Sequence, residues 1–153
     1  MAIAVLSLEQ LEQALVMRAE AELDKMLADA AGGNPDAVER KAKRVADIAN
    51  DKNFPMARRR ELQDRCKLLL RQALEKSVNL YLDDSIGAAR SNDDTRRNML
   101  IAKAKEHYGL ALRAGAGEEF KLAVRRKLET IGLAGAASND EKAKRAEPSA
   151  TPS

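Results

Sequence analysis

The chain predicts an all-α fold, and three observations carry that reading. It holds 28 alanines and 19 leucines against four prolines; alanine and leucine lead the helix propensity scale, with straight-chain charged residues close behind. Apolar residues recur at spacings of three and four through most of the length, the period of a helix with one buried face. No run of β-branched or aromatic residues alternates with period two, so nothing reads as a strand. The expected architecture is a single bundle of four to five helices over residues 1–133 and a disordered tail over 134–153. A chain of 153 residues can bury one ordinary core without staples.

The first helix, 7–31, opens on Ser7-Leu8-Glu9-Gln10. That quartet fits a capping box, in which serine oxygen and glutamine side chain satisfy free amides reciprocally. Leu8, Leu11, Leu15, Ala19, Leu23, Met26 and Ala30 form one stripe, and Gly32-Gly33 ends it. Asn34-Pro35 starts a second helix, with asparagine as cap and proline pre-set for the first position. Its edge is Val38, Ala42, Val45 and Ala49, and it stops between Asn50 and Asn53.

Pro55 opens the third and longest helix. Leu62, Cys66, Leu69, Ala73, Ser77, Leu80 and Asp84 lie on one line, widened by Leu70, Leu74, Tyr81 and Ala88, which marks a central helix. Four poor helix formers at Ser91-Asn92-Asp93-Asp94 read as a tight turn, with Ser91 and Asp94 as a second capping box. A break at Asp83-Asp84-Ser85 is the alternative. The fourth helix runs to about Arg113 on Leu100 or Ile101, Ala104, Tyr108 and Ala111. The fifth, Glu118 to Ile131, carries acids in its first turn and Arg125, Arg126 and Lys127 in its last, matching the helix dipole. Phe120, Val124, Leu128 and Ile131 form its expected buried line and Gly132 its cap. From Ser138 onward no large apolar residue occurs, so burial cannot offset the entropy of ordering.

Within the fourth helix, the spacing of Ala104, Tyr108, Ala111 and Leu112 resembles the second helix of a tetratricopeptide repeat. The preceding helix lacks that family's aromatic, leucine, glycine and tyrosine pattern, and no second copy follows at a period near 34. No function is carried over from the resemblance.

Several function classes fall away on composition. One cysteine, Cys66, cannot form an internal disulfide, and with a single histidine, His107, no multi-ligand zinc site can be built. Cys66 sits on the apolar line between Leu62 and Leu69, where a thiol packs as a small core residue with a raised pKa. His107 falls at the edge of the fourth stripe. The Asp83-Asp84 and Asp93-Asp94 pairs lack calcium-loop spacing, and capping accounts for them. Gly115 and Gly117 precede a helix without a strand before them, which is no phosphate loop. No catalytic residue, no metal site and no cofactor is expected. No apolar run approaches a membrane span, and Met1 to Leu6 lacks the basic flank of a secretory signal. The expected setting is cytoplasmic, without membrane insertion.

Charge is the most informative feature. The modest net of +3 conceals a swing: residues 1–39 hold two basic and eight acidic side chains, a net of −6, and residues 40–76 hold twelve and five, a net of +7. One reading packs the acidic first helix beside the basic segment, complementary rims setting the pairing. The other makes Arg40, Lys41, Lys43, Arg44, Arg58, Arg59 and Arg60 a partner- or anion-binding face, as a nucleic-acid binder would use them. Exclusion leaves a non-enzymatic protein–protein interaction module (adaptor, assembly factor or regulator), as a homo-oligomer or with a protein partner. Its expected surfaces are the basic face of 40–71 and the first helix, through Leu8, Leu11, Leu15, Leu23 and Met26. A nucleic-acid-binding protein using 40–71 is the alternative.

Overall fold

Five helices follow one another in a computed structural model that describes residues 7–146, with side chains described through Ala136. They are α1 (Leu8–Ala31), α2 (Pro35–Ala49), α3 (Met56–Arg90), α4 (Asp94–Arg113) and α5 (Glu118–Ala146), and the described residues include no strand. The fold is all-α, as composition and periodicity require. The chain divides into two compact units, Met1–Ser77 and Val78–Ser153, with α3 contributing residues to each.

In the first unit the start of α1 is the expected capping box. The Gln10 amide donates to Ser7 Oγ at 3.2 Å and the Ser7 amide donates to Gln10 Oε1 at 3.0 Å. The reversal into α2 places Gly33 at φ 70°, a conformation open to glycine at little cost, and Asn34 Oδ1 accepts from the Ala37 amide at 3.1 Å. α1 packs against α2. Ala19, Leu23, Met26 and Ala30 meet Val38, Val45 and Ala49 in one apolar cluster, which Phe54, Leu62, Leu69 and Ala73 extend. Phe54, beside Pro55, is a buried plug ahead of α3.

In the second unit the turn falls at Ser91 to Asp93, the later of the two expected breaks. The cap is Asp93, whose carboxylate accepts from the Arg96 amide at 3.0 Å, and not Ser91 as the sequence suggested. Ser91 Oγ turns back and donates to the Gly87 carbonyl at 3.0 Å, because Asn92 takes a positive φ of 59° and carries the chain out of the helix one residue later.

Two buried lines differ from expectation. Leu80 and Asp84 are exposed, and α3 buries Val78, Leu82, Ser85 and Ala89 instead. A line at spacings of three and four drifts around a helix over many turns, so one line cannot serve all 35 residues of α3. On α5, Phe120, Val124 and Ile131 are buried while Leu128 is 40% exposed. Nor does Gly132 end that helix, whose backbone continues to Ala146. A lone glycine weakens a helix by only about 1 kcal/mol, which favourable neighbours offset. The expected tail, 134–153, is thus helical in its backbone through Ala146, while the side chains of 137–146 and all of 147–153 lie outside the described residues.

Gly132 and Gly115 make a paired prediction. A Cβ at either meets nothing within 4 Å, but Gly115 has φ 97° whereas Gly132 is helical. Gly132→Ala is expected to raise unfolding free energy by up to about 1 kcal/mol and Gly115→Ala to lower it by about 1–2 kcal/mol. Urea denaturation followed by circular dichroism measures both.

Candidate functional site

The basic segment faces its own acidic helix. Lys41 of α2 forms an ion pair and hydrogen bond with Asp29 of α1, both side chains largely covered. One helical turn away, the Arg44 guanidinium lies 3.8 Å from Glu22, which Lys25 approaches at the same distance. At the start of α3, Arg58 pairs with Glu61 at 3.2 Å, and Arg59 donates to the Asp51 carbonyl at 3.1 Å. Arg40, Lys43 and Arg60 are exposed. Four of the seven expected anion-binding cations therefore have protein partners, and two of those join α2 to α1.

The five candidate interface residues of α1 separate by position. Leu23 and Met26 are fully buried and Leu15 half-buried, all within the cluster of the first unit. Leu8 and Leu11 are 61% and 36% exposed. The stripe of α1 thus outruns its own core by two turns. Glu9 and Glu12 stand beside these leucines, one turn apart from each other.

Cys66 and His107 have packing roles. Cys66 is half-buried against the first cluster, and burial pushes its thiol up against the smaller opposing pull of Arg65. The His107 ring lies 5.5 Å from that of Tyr81, tilted by 54°, and Lys103 Nζ stands 5.9 Å over the same tyrosine. Of the aspartate pairs, Asp93 caps α4, Asp94 pairs with Arg97 at 3.3 Å and Asp83 with Lys127 at 2.8 Å. Among the described residues no three His, Cys, Asp or Glu side chains gather as a metal site would.

The feature sequence reading missed is a cleft of about 520 Å³ in the second unit. Val78 and Leu82 of α3, Ile101, Ala104 and Tyr108 of α4, and Leu122, Val124 and Leu128 of α5 line it. The Tyr108 ring stacks on buried Phe120 at 5.7 Å, which fixes that wall. Lys105, Lys121 and Arg125 also line the cleft, against a single acid, Glu118, which pairs with Lys121 at 3.1 Å. Lys121 and Arg125 stand one turn apart on α5, so two of the three cations form a row along that helix, with Lys105 on α4. The signal in the sequence was Leu122 and Leu128 beside cations on a helix whose core line is Phe120, Val124 and Ile131.

No known protein family matches the chain, and neither curated proteins nor solved structures give a significant match. Among the described residues, no helix is long and apolar enough to cross a membrane.

Two predictions follow from these placements. Lys41→Ala is expected to cost about 1–2 kcal/mol, because it strands a largely covered Asp29, and Lys43→Ala less than about 0.5 kcal/mol; urea titration of both variants compares them. For Cys66, the thiol ionises at higher pH in the folded chain than in the unfolded one. Alkylation by iodoacetamide should therefore be slower than in denaturant. Stability should also fall as pH rises through the unfolded thiol's range, where the unfolded chain loses its proton first.

Proposed function

We propose that this protein is a non-catalytic helical interaction module whose cleft in the second unit receives an acidic, amphipathic helix. The observation that carries the reading is the row of cations beside an apolar floor: Lys121 and Arg125, one turn apart, next to Leu122 and Leu128. A helix laid in a groove offers apolar anchors at i, i+3, i+4 and i+7, and acids one turn apart can follow such a row. The cleft volume lies within the range that recognition sites use. Two of the three cleft cations run along α5, in step with acids one turn apart on a docked helix. Cys66 and His107, the single thiol and the single imidazole of the chain, are engaged in packing, which supports a role without catalysis. A single half-buried cysteine suits a reducing compartment such as the cytoplasm.

The test is fluorescence anisotropy with a labelled Leu/Glu peptide that carries its leucines and glutamates one turn apart. Binding to the full chain should weaken about tenfold in Arg125→Glu and fall as salt is raised. Binding indifferent to both changes contradicts the cleft reading. Short single- and double-stranded oligonucleotides titrated alongside address the nucleic-acid alternative. Tighter, salt-dependent binding of these, lost in a variant with Arg40, Lys43 and Arg60 changed to Ala, would replace the proposal.

A further inference from the structure

Resting on the reading of the cleft as an acceptor of acidic helices, we propose that its occupant is the first turns of α1 from a second copy of this chain. Two surfaces of the molecule are each incomplete, and they complement one another. On α1, Leu8 and Leu11 continue the buried stripe beyond the core and are partly open to solvent, Leu8 the more so, with Glu9 and Glu12 beside them. No basic residue occurs in α1 before Arg18, so this end is uniformly acidic. In the cleft, Leu122 and Leu128 are 45% and 40% exposed, and cations outnumber acids by three to one.

The spacings agree as well as the signs. Leu8 and Leu11 sit one turn apart, as do Glu9 and Glu12, and as do Lys121 and Arg125 across the contact. Docking places carboxylate on cation in register and sets Leu8 and Leu11 against the apolar floor that Leu122 and Leu128 share with Val124. Lys121 exchanges its exposed partner Glu118, whose side chain is 89% accessible and can turn to water, for a carboxylate of α1. The contact joins unlike surfaces and each copy offers both, so two copies can satisfy it reciprocally as a two-fold dimer, or successive copies can form a ring or an open chain. A few turns of helix make a contact below the size of a standard stable interface, so affinity belongs in the micromolar range or weaker.

A charge exchange tests the contact on the full chain. One variant carries Glu9→Lys and Glu12→Lys, the other Lys121→Glu and Arg125→Glu, with folding checked by circular dichroism. In sedimentation velocity the wild type should gain mass with concentration, each variant alone should remain a monomer, and an equimolar mixture should recover the association with the two variants in equal proportion. Leu8→Ser with Leu11→Ser, at exposed positions that leave the core intact, should also abolish self-association should a charge variant fail to fold. Self-association that survives in all variants, or a wild type that stays monomeric at several hundred micromolar, overturns the proposal.

A labelled peptide of residues 7–24 and the generic Leu/Glu peptide separate the two levels of the argument. If the generic peptide binds through Arg125 and the 7–24 peptide does not, the cleft takes a foreign partner and this inference alone falls. If neither binds, both readings fall.

Discussion

A difference in length between two packed helices governs the first unit. α1 has 24 residues and α2 has 15, which at about 1.5 Å per residue makes them about 36 and 22 Å long. The glycine pair at 32–33 and the Asn34 cap fix where the two begin to run together, so the seam starts at Ala30 and is exhausted by about Leu15. Within the seam, small and medium residues bring the backbones close, and the rims meet as Asp29 with Lys41 and Glu22 with Arg44. Beyond it the same stripe continues with nothing from its own core to cover it.

That boundary also explains how the chain spends its charge. The swing from acidic to basic between the first 39 residues and the next 37 reads on paper as a nucleic-acid footprint or as self-complementarity. The ion pairs between α1 and α2 draw on both sides of it. What remains of it is an acidic end of α1, outside the seam, and the exposed cations Arg40, Lys43 and Arg60; separately, cations on α4 and α5 line an apolar cleft with one acid among them. Complementarity that begins inside the first unit is thus available for continuation between copies.

Much of the fold was legible because local rules decide it. Ser7 with Gln10, Asn34 with Pro35, and the breaker run at 91–94 each placed a helix boundary by hydrogen-bond chemistry that needs no tertiary context. Where context decides, the reading slipped. Gly132 looks like a cap, but only the energetics of the whole helix determine whether a glycine stops it. Leu80 and Leu128 carry the right period, yet burial depends on what lies opposite, and a helix as long as α3 changes its buried face along its length. The cleft was illegible for the same reason. Its walls come from three helices, and Tyr108 and Leu128 serve equally well as core residues until the neighbouring elements fail to close over them. Of the candidate residues, Leu8 and Leu11 remain accessible, whereas Leu23 and Met26 are committed to the core.

The central claim is that the uncovered end of α1 seats in the cleft of another copy, and intermolecular paramagnetic relaxation observes that directly. A spin label is attached to Gln13→Cys in a Cys66→Ala background, off the apolar stripe, and this unlabelled-isotope protein is mixed with nitrogen-15 chain that carries no spin label. The account predicts selective broadening of the amides of Ile101, Lys105, Leu122, Arg125 and Leu128 in the isotope-labelled copy, reversed by reducing the label. Broadening that spares those residues, or none at concentrations where the chain self-associates, would contradict it.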